Sequence, residues 1–186
     1  MKKQFLLSAT VILFCSLGIK AQDKYFTKSG KIVFHSKASL ENIEGNNKTV
    51  TCVLDTKTGN LQFAVLMKAF EFEKALMQEH FNENYVESHK FPKADFKGQV
   101  INNSDINYSK DGTYSSKVKG KLTLHGETRE VETTGTIVIK GGKIEADAVF
   151  TVELADYKVE IPKVVKDNIS KTVSISVDCT LDPLKN

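Results

Sequence analysis

The chain has 186 residues, with 26 Lys and Arg against 23 Asp and Glu, and 40% of its side chains are hydrophobic. Three of the lysines, Lys2, Lys3 and Lys20, fall in a leader-like stretch that holds no acid, so the rest of the chain is close to neutral and lacks the basic field on which nucleic-acid binding depends. The length beyond that stretch suits one domain with a sizeable core and is too short for two ordinary ones.

Residues 1–21 read as a secretory leader. Lys2 and Lys3 give the positive end, Phe5 to Leu17 the apolar run, and Ala21 a small residue before the cut. That run is too short to span a bilayer. Cys15 follows Leu13 and Phe14 in mid-run, which does not fit a lipid-anchored start. The expected product is a single exported domain, residues 22–186, periplasmic or secreted.

Ile32, Phe34 and Ser36 then alternate with Lys31, Val33, His35 and Lys37, the pattern of a half-buried strand. Asn42 to Asn47, rich in Asn and Gly, is expected to turn the chain. Val50, Cys52 and Leu54 share one face of the next strand, and after the Thr58-Gly59-Asn60 turn Leu61, Phe63, Val65 and Met67 share one face of a third. Lys68 to Gly98 departs from alternation. Leu76 and His80, and Met77 and Phe81, sit four apart, which predicts a helical stripe of two to three turns, and Pro92 ends any helix before Phe91.

Ala94, Phe96, Gly98 and Val100 resume the period of two. Asn102 to Gly112 is polar and expected to be an exposed loop. The alternation is cleanest after it, with Tyr114, Ser116, Val118, Gly120, Leu122 and Leu124 on one face and lysines and threonines opposite. His125-Gly126 turns the chain into a strand from Arg129 to Lys140, Gly141-Gly142 forms a hairpin loop, and Ile144, Ala146, Ala148, Phe150 and Val152 follow on one face. Asp156 to Asn168 is irregular, and Val173, Ile175, Val177, Cys179 and Leu181 mark the last strand.

The pattern predicts an all-β fold, an eight-stranded antiparallel up-and-down barrel with one short helix capping or lining a pocket; a two-sheet sandwich is the alternative. Small residues at inward positions, Ser36, Gly98, Ser116, Gly120, Ala146 and Ala148, leave gaps that a hollow barrel uses and a solid core does not.

Phe91-Pro92-Lys93-Ala94-Asp95-Phe96 and the run Gly120 to Thr128 (GKLTLHGET) together resemble the YceI-like, polyisoprenoid-binding family, the first its aromatic-Pro-x-Ala-x-Phe signature and the second its Gly-x-Leu-Thr-x-x-Gly-x-Thr segment. The resemblance runs from about Ser36 to Leu181. It implies a lipocalin-like, exported barrel that holds a long isoprenoid or fatty chain and has no catalytic residues. The helical stretch Phe72 to Tyr85 is richer in aromatics and acids than the commoner form of that family, which leaves the ligand open.

The aromatic and methionine side chains expected to line the pocket are Phe34, Phe63, Phe72, Met77, Phe81, Phe96, Tyr114 and Phe150. The partner expected is a long-chain isoprenoid, isoprenoid quinone or fatty-acyl lipid. Neither cofactor nor metal is expected, a peripheral encounter with a membrane and a dimer are compatible with the reading, and a ligand-free barrel serving as an envelope stress or interaction factor is the rival.

His35, His80, His89 and His125 lack metal-site spacing and are expected in surface or half-buried roles, with His80 beside Met77 and Phe81 the one that a hydrolase or isomerase would use together with a Glu. Glu79, Glu83 and Glu87 at helical spacing are expected to form a solvated face. Cys52 and Cys179 lie on apolar strand faces and are expected to be buried and unpaired. No nucleophile elbow or phosphate loop is present in the sequence.

Overall fold

The computed structural model describes residues 23–184; the leader-like stretch lies outside them. Eight strands close an antiparallel barrel in chain order: β1 (Lys24–Lys37), β2 (Asn42–Asp55), β3 (Asn60–Leu66), β4 (Lys93–Val100), β5 (Gly112–Leu124), β6 (Glu127–Lys140), β7 (Lys143–Glu153) and β8 (Thr172–Pro183), with β8 paired to β1. Closure leaves no full-length edge strand to template aggregation. The sandwich alternative is thereby excluded.

At one end, here the floor, lie the β2–β3 and β6–β7 turns, the connection 101–111 and both described termini. At the other, the roof, lie the β1–β2 turn, the stretch between β3 and β4, the His125-Gly126 turn and residues 154–171. The helix expected in the aromatic stretch is α1 (Ala75–His80), which continues into one π turn, Phe81–Tyr85. The turn that follows carries Glu87 in the left-handed region, φ 44°, and β4 starts just past Pro92.

Three expectations need correction. Asn42 to Asn47 is not a turn; residues 38–41 turn the chain, and Asn42 already opens β2. The asparagines and glycine of this run serve a bulge and a close contact. Between the pairs Gly30↔Val50 and Ile32↔Asn47 β2 carries an extra residue, and the fully buried Asn47 closes that bulge, its Nδ2 donating to the Leu66 carbonyl at 2.9 Å and its Oδ1 accepting from the Thr49 N–H at 2.9 Å. Gly45 stands opposite Phe34, whose ring would lie 2.3 Å from any Cβ there.

The polar stretch Asn102 to Gly112 is only partly exposed. Ile106 turns in to join the floor, and Tyr108 packs beside it with its hydroxyl donating to Asn103 Oδ1 at 2.9 Å; burial pushes the Tyr108 phenol up to about 12. The third correction concerns Gly98 and Gly120. They pair directly across β4 and β5, and a Cβ on Gly98 would meet the Lys119 carbonyl at 2.4 Å and the Phe96 ring at 2.5 Å. They permit two strands and a ring to approach closely, and they leave no gap.

The barrel is packed unevenly along its axis. Tyr25, Cys52, Leu54, Val100, Ile137, Ile144, Cys179 and Leu181 fill the floor. Both cysteines are free and buried there, and the hydrogen bond to Cys179, together with burial, pushes the Cys52 thiol up. Toward the roof β6 and β7 separate, since their ladder covers only Gly135–Lys140 against Lys143–Ala148. The single turn Leu154–Tyr157 lies by the divergence, with Tyr157 buried.

Candidate functional site

The strands enclose a cavity of about 340 Å³ that reaches from the roof down to the floor cluster, where Cys52, Leu54, Val100, Ile137 and Leu181 border it, within the range of small-molecule pockets. Strand alternation supplies its walls: every second residue of each strand points in, so Ile32 and Phe34, Phe63 and Val65, Leu122 and Leu124, and Phe150 and Val152 face it from four strands. Ser36, Ser116, Ala146 and Ala148, four of the six small residues expected to leave gaps, border the cavity. Its cover has two parts. Phe72, Met77, Phe81 and Tyr85 come from the helical stretch, and Leu154, Val159, Val165 and Ile169 from the segment between β7 and β8.

The helical part is anchored by aromatic contacts. Phe81 stacks on Phe34 with ring centroids 5.4 Å apart, meets Phe70 edge-on at 5.5 Å and lies 4.9 Å from Phe72. Pairs at these separations add about 0.5–1.5 kcal/mol each beyond the area they bury. Leu76 shares the helix but is 60% exposed, so of the two spacings of four only Met77 and Phe81 form the inward face.

Of the residues expected to line a pocket, Phe34, Phe63, Phe72, Met77, Phe81, Phe96 and Phe150 border this cavity. Tyr114 does not. It sits low on β5 against the floor cluster and donates its hydroxyl to the Lys110 carbonyl at 3.3 Å. Phe70, Tyr85 and the apolar residues of 154–169 also border the cavity and are missing from the sequence-based set. Leu154, Val159 and Val165 follow no period, and only closure of the barrel brings them over the opening.

Polar residues border the cavity toward the rim, at Ser36, Glu41, His80 and Asn168, and along β5 to β7, at Ser116, Thr133, Thr136 and Asp147. Glu41 Oε1 lies 3.2 Å from Lys74 Nζ, and its Oε2 accepts from Asn168 Nδ2 at 3.4 Å, which joins the β1–β2 turn, the start of α1 and the 162–168 segment. Ser36 Oγ accepts from the Ser170 N–H at 2.8 Å. His80 borders the rim, while His35 pairs with Glu44 at 3.4 Å on the outside and His89 is exposed. Among the described residues no three metal-ligating side chains converge.

His125 has a different role. Its Nδ1 lies 3.0 Å from the Tyr157 carbonyl and its Nε2 3.0 Å from Glu87 Oε2, so it ties the β5–β6 turn to both parts of the cover. Glu87 is therefore no member of a solvated ladder with Glu79 and Glu83. Hydrogen bonds from Lys90 and then His125 hold its carboxyl below the usual range. Phe91 stacks edge-on to His125 at 4.7 Å, and a Cβ on Gly126, φ 77°, would lie 2.6 Å from that ring. The segments Phe91–Phe96 and Gly120–Thr128, distant in sequence, meet here.

A family model described as the YceI-like domain matches residues 24–181, from the first strand to the last. The chain belongs to the YceI-like family. Solved structures with its fold include a polyisoprenoid-binding domain from Saccharophagus degradans implicated in plant cell wall breakdown, 13% identical over 88% of this chain and 99% of that one, TM-score 0.75. BcnA of Burkholderia cenocepacia is 18% identical over 82% and 95%, TM-score 0.66, and a Campylobacter jejuni YceI protein 19% identical over 81% and 90%, TM-score 0.57. No curated protein matches the chain. These likenesses establish the barrel. In this YceI-like protein, the two segments that resemble the family signature are the pair joined by Phe91, His125 and Gly126.

Proposed function

We propose that this YceI-like protein is an exported, non-catalytic carrier that holds one long-chain amphiphile of isoprenoid, isoprenoid quinone or fatty-acyl type in the cavity of its barrel. The observation that carries the reading is the cavity itself: about 340 Å³, walled by inward aliphatic and aromatic side chains from the strands and covered by the two long connections, residues 67–92 and 154–171. Each buried methylene contributes about 0.8 kcal/mol before ordering costs, so a long tail binds without a strong polar contact. The tail lies against Phe34, Phe63, Phe96 and Phe150, and Phe72, Met77 and Phe81 close over the end nearer the roof. The polyisoprenoid-binding neighbour supports a lipid of this class, and the leader-like residues 1–21 support export to the periplasm or beyond.

Mass spectrometry of solvent extracts from gently purified protein tests this reading. A stoichiometric isoprenoid or acyl species is expected, and release of nothing by a well-folded sample, with no uptake of added long-chain probe, would overturn it.

A further inference from the structure

We infer that the ligand enters and leaves through the side of the barrel, at the seam between β6 and β7, and that the turn Leu154–Tyr157 is the shutter that opens there. The inference rests on the carrier reading above and concerns the route to the cavity, where that reading concerns its occupant.

Toward the roof two of the eight seams lose their ladder. β2 and β3 pair only over Thr51–Leu54 and Leu61–Ala64, but residues 67–73 seal that gap with main-chain bonds: the Asn46 N–H donates to the Glu71 carbonyl at 2.9 Å and the Glu71 N–H to the Asn46 carbonyl at 2.8 Å. The rings of Phe34, Phe70, Phe72 and Phe81 back this seal. β6 and β7 part above Gly135↔Ala148, which leaves Glu127–Thr134 paired to β5 alone.

The turn that fills this second gap is hinged on one side and latched on the other. On the β8 side the Leu154 N–H donates to the Lys171 carbonyl at 2.9 Å, one step beyond the β7–β8 ladder. The Val159 N–H closes the turn on the Leu154 carbonyl at 3.1 Å, so the turn moves as a unit. On the β6 side only side chains hold it: Lys158 Nζ lies 2.6 Å from Glu127 Oε1, and His125 Nδ1 lies 3.0 Å from the Tyr157 carbonyl. Among the described residues no main-chain hydrogen bond crosses from the turn to β6. Lys158 also sits in the left-handed region, φ 54°, a strained conformation that the Glu127 pair helps to hold. With Lys158 71% exposed the pair is weak, as a latch that opens repeatedly requires.

Behind the shutter lies the cavity. Val152 and Leu154 border it on one edge of the seam and Val131 and Thr133 on the other, and Tyr157, 2% exposed, packs with Val152 and Val159 against Leu122, Leu124 and Phe150. At the foot of the seam Thr136 and Asp147, which alternation turns outward, border the cavity as well; Gly135 beside them has no side chain, and the wall there is one backbone thick. Swinging the turn away opens an apolar slot from cavity to surface without breaking a strand pair. An exit through the roof must instead separate the ring cluster and the contacts of Glu41 with Lys74 and Asn168.

Glu127→Cys with Lys158→Cys, joined by a short bis-methanethiosulfonate that reductant cleaves, locks the shutter; neither residue borders the cavity, and the native thiols are buried. Stopped-flow release of bound cis-parinaric acid to excess phosphatidylcholine vesicles should slow at least about tenfold with the cross-link and recover on reduction, while equilibrium affinity stays within about threefold. Glu127→Gln, which weakens the latch, should speed loading and release about two- to fivefold, and Lys74→Gln, on the helical side of the cover, should change neither. Unchanged release from the cross-linked protein, or a rate that Lys74→Gln raises and Glu127→Gln does not, would place the route through the roof and overturn the inference while leaving the carrier reading intact. If the unmodified protein takes up neither this probe nor geranylgeraniol, the carrier reading falls and the inference with it.

Discussion

Filling the cavity from its wall separates a hollow barrel from a packed one by the sign of the effect. Ala148 faces inward from β7, opposite Gly135 of β6 and Val177 of β8, and borders the cavity where β6 and β7 begin to part. Ala148→Leu adds three carbons. If they enter empty apolar space, each contributes about 0.8 kcal/mol, so the empty protein gains about 2 kcal/mol at most and about 1 after side-chain ordering. If the site is already packed, the same carbons force neighbours off their rotamers and cost about 1–3 kcal/mol. Chemical denaturation of the delipidated protein measures the difference, as a rise in the midpoint with an unchanged slope. Long-chain affinity should fall by more than about tenfold, since tail and leucine compete for one volume. A destabilised variant that binds a long-chain probe as the native protein does would refute both the hollow and its use.

Phe81→Ala removes three ring contacts as well as part of the cavity lining, so it should cost the empty protein about 2–3 kcal/mol and weaken long-chain binding more than about tenfold; normal binding by the refolded mutant would confine Phe81 to packing. Single replacement of His35, His80, His89 or His125 by Gln should leave long-chain affinity within about threefold, and His125→Gln should lower the denaturation midpoint, because it joins three roof segments. The raised phenol of Tyr108 means that the folded state keeps a proton which the unfolded chain releases near pH 10, so stability holds below about pH 10 and declines as the pH rises toward about 12; Tyr108→Phe should flatten that alkaline loss in pH-dependent unfolding. Thiol titration should find Cys52 and Cys179 unreactive in the folded protein and count two thiols after denaturation without reductant; none would mean a disulfide.

The barrel was legible because strand alternation is a local signal and closure follows from eight such segments joined mostly by short turns. Val50, Cys52 and Leu54 read as inward in the sequence and are all but fully buried in the fold. What sequence could not separate was a glycine or asparagine that turns the chain from one that accommodates a neighbour. Gly45 yields to the Phe34 ring, Asn47 closes a bulge and Gly98 admits β5, yet in sequence each looks like a turn residue or a gap. Tyr114 fails for a related reason. Parity places it inside the barrel but carries no information about height along the axis, and its height puts it in the floor. Leu154, Val159 and Val165 were illegible as cover because no periodicity marks a segment whose partners are assembled only by closure.

Height along the axis is also what reconciles an empty cavity with a stable fold. An unfilled interior costs a protein contacts it could otherwise make, and a carrier must remain folded after it has released its ligand. Here the floor carries the dense apolar packing, with Leu54, Val100, Ile144, Cys179 and Leu181 at 0–1% exposure; Leu54, Val100 and Leu181 form the bottom of the cavity, whereas Ile144 and Cys179 do not border it. The roof is held by the aromatic cluster around Phe81, whose rings also line the cavity, and by the Glu87–His125–Tyr157 bridge, which does not border it. Part of the stability therefore comes from groups that do not border the cavity, Ile144 and Cys179 in the floor and the Glu87–His125–Tyr157 bridge in the roof. Ile144→Val, away from the cavity, should lower the denaturation midpoint of empty and loaded protein alike, whereas substitutions in the wall, such as Ala148→Leu, should change the difference between them.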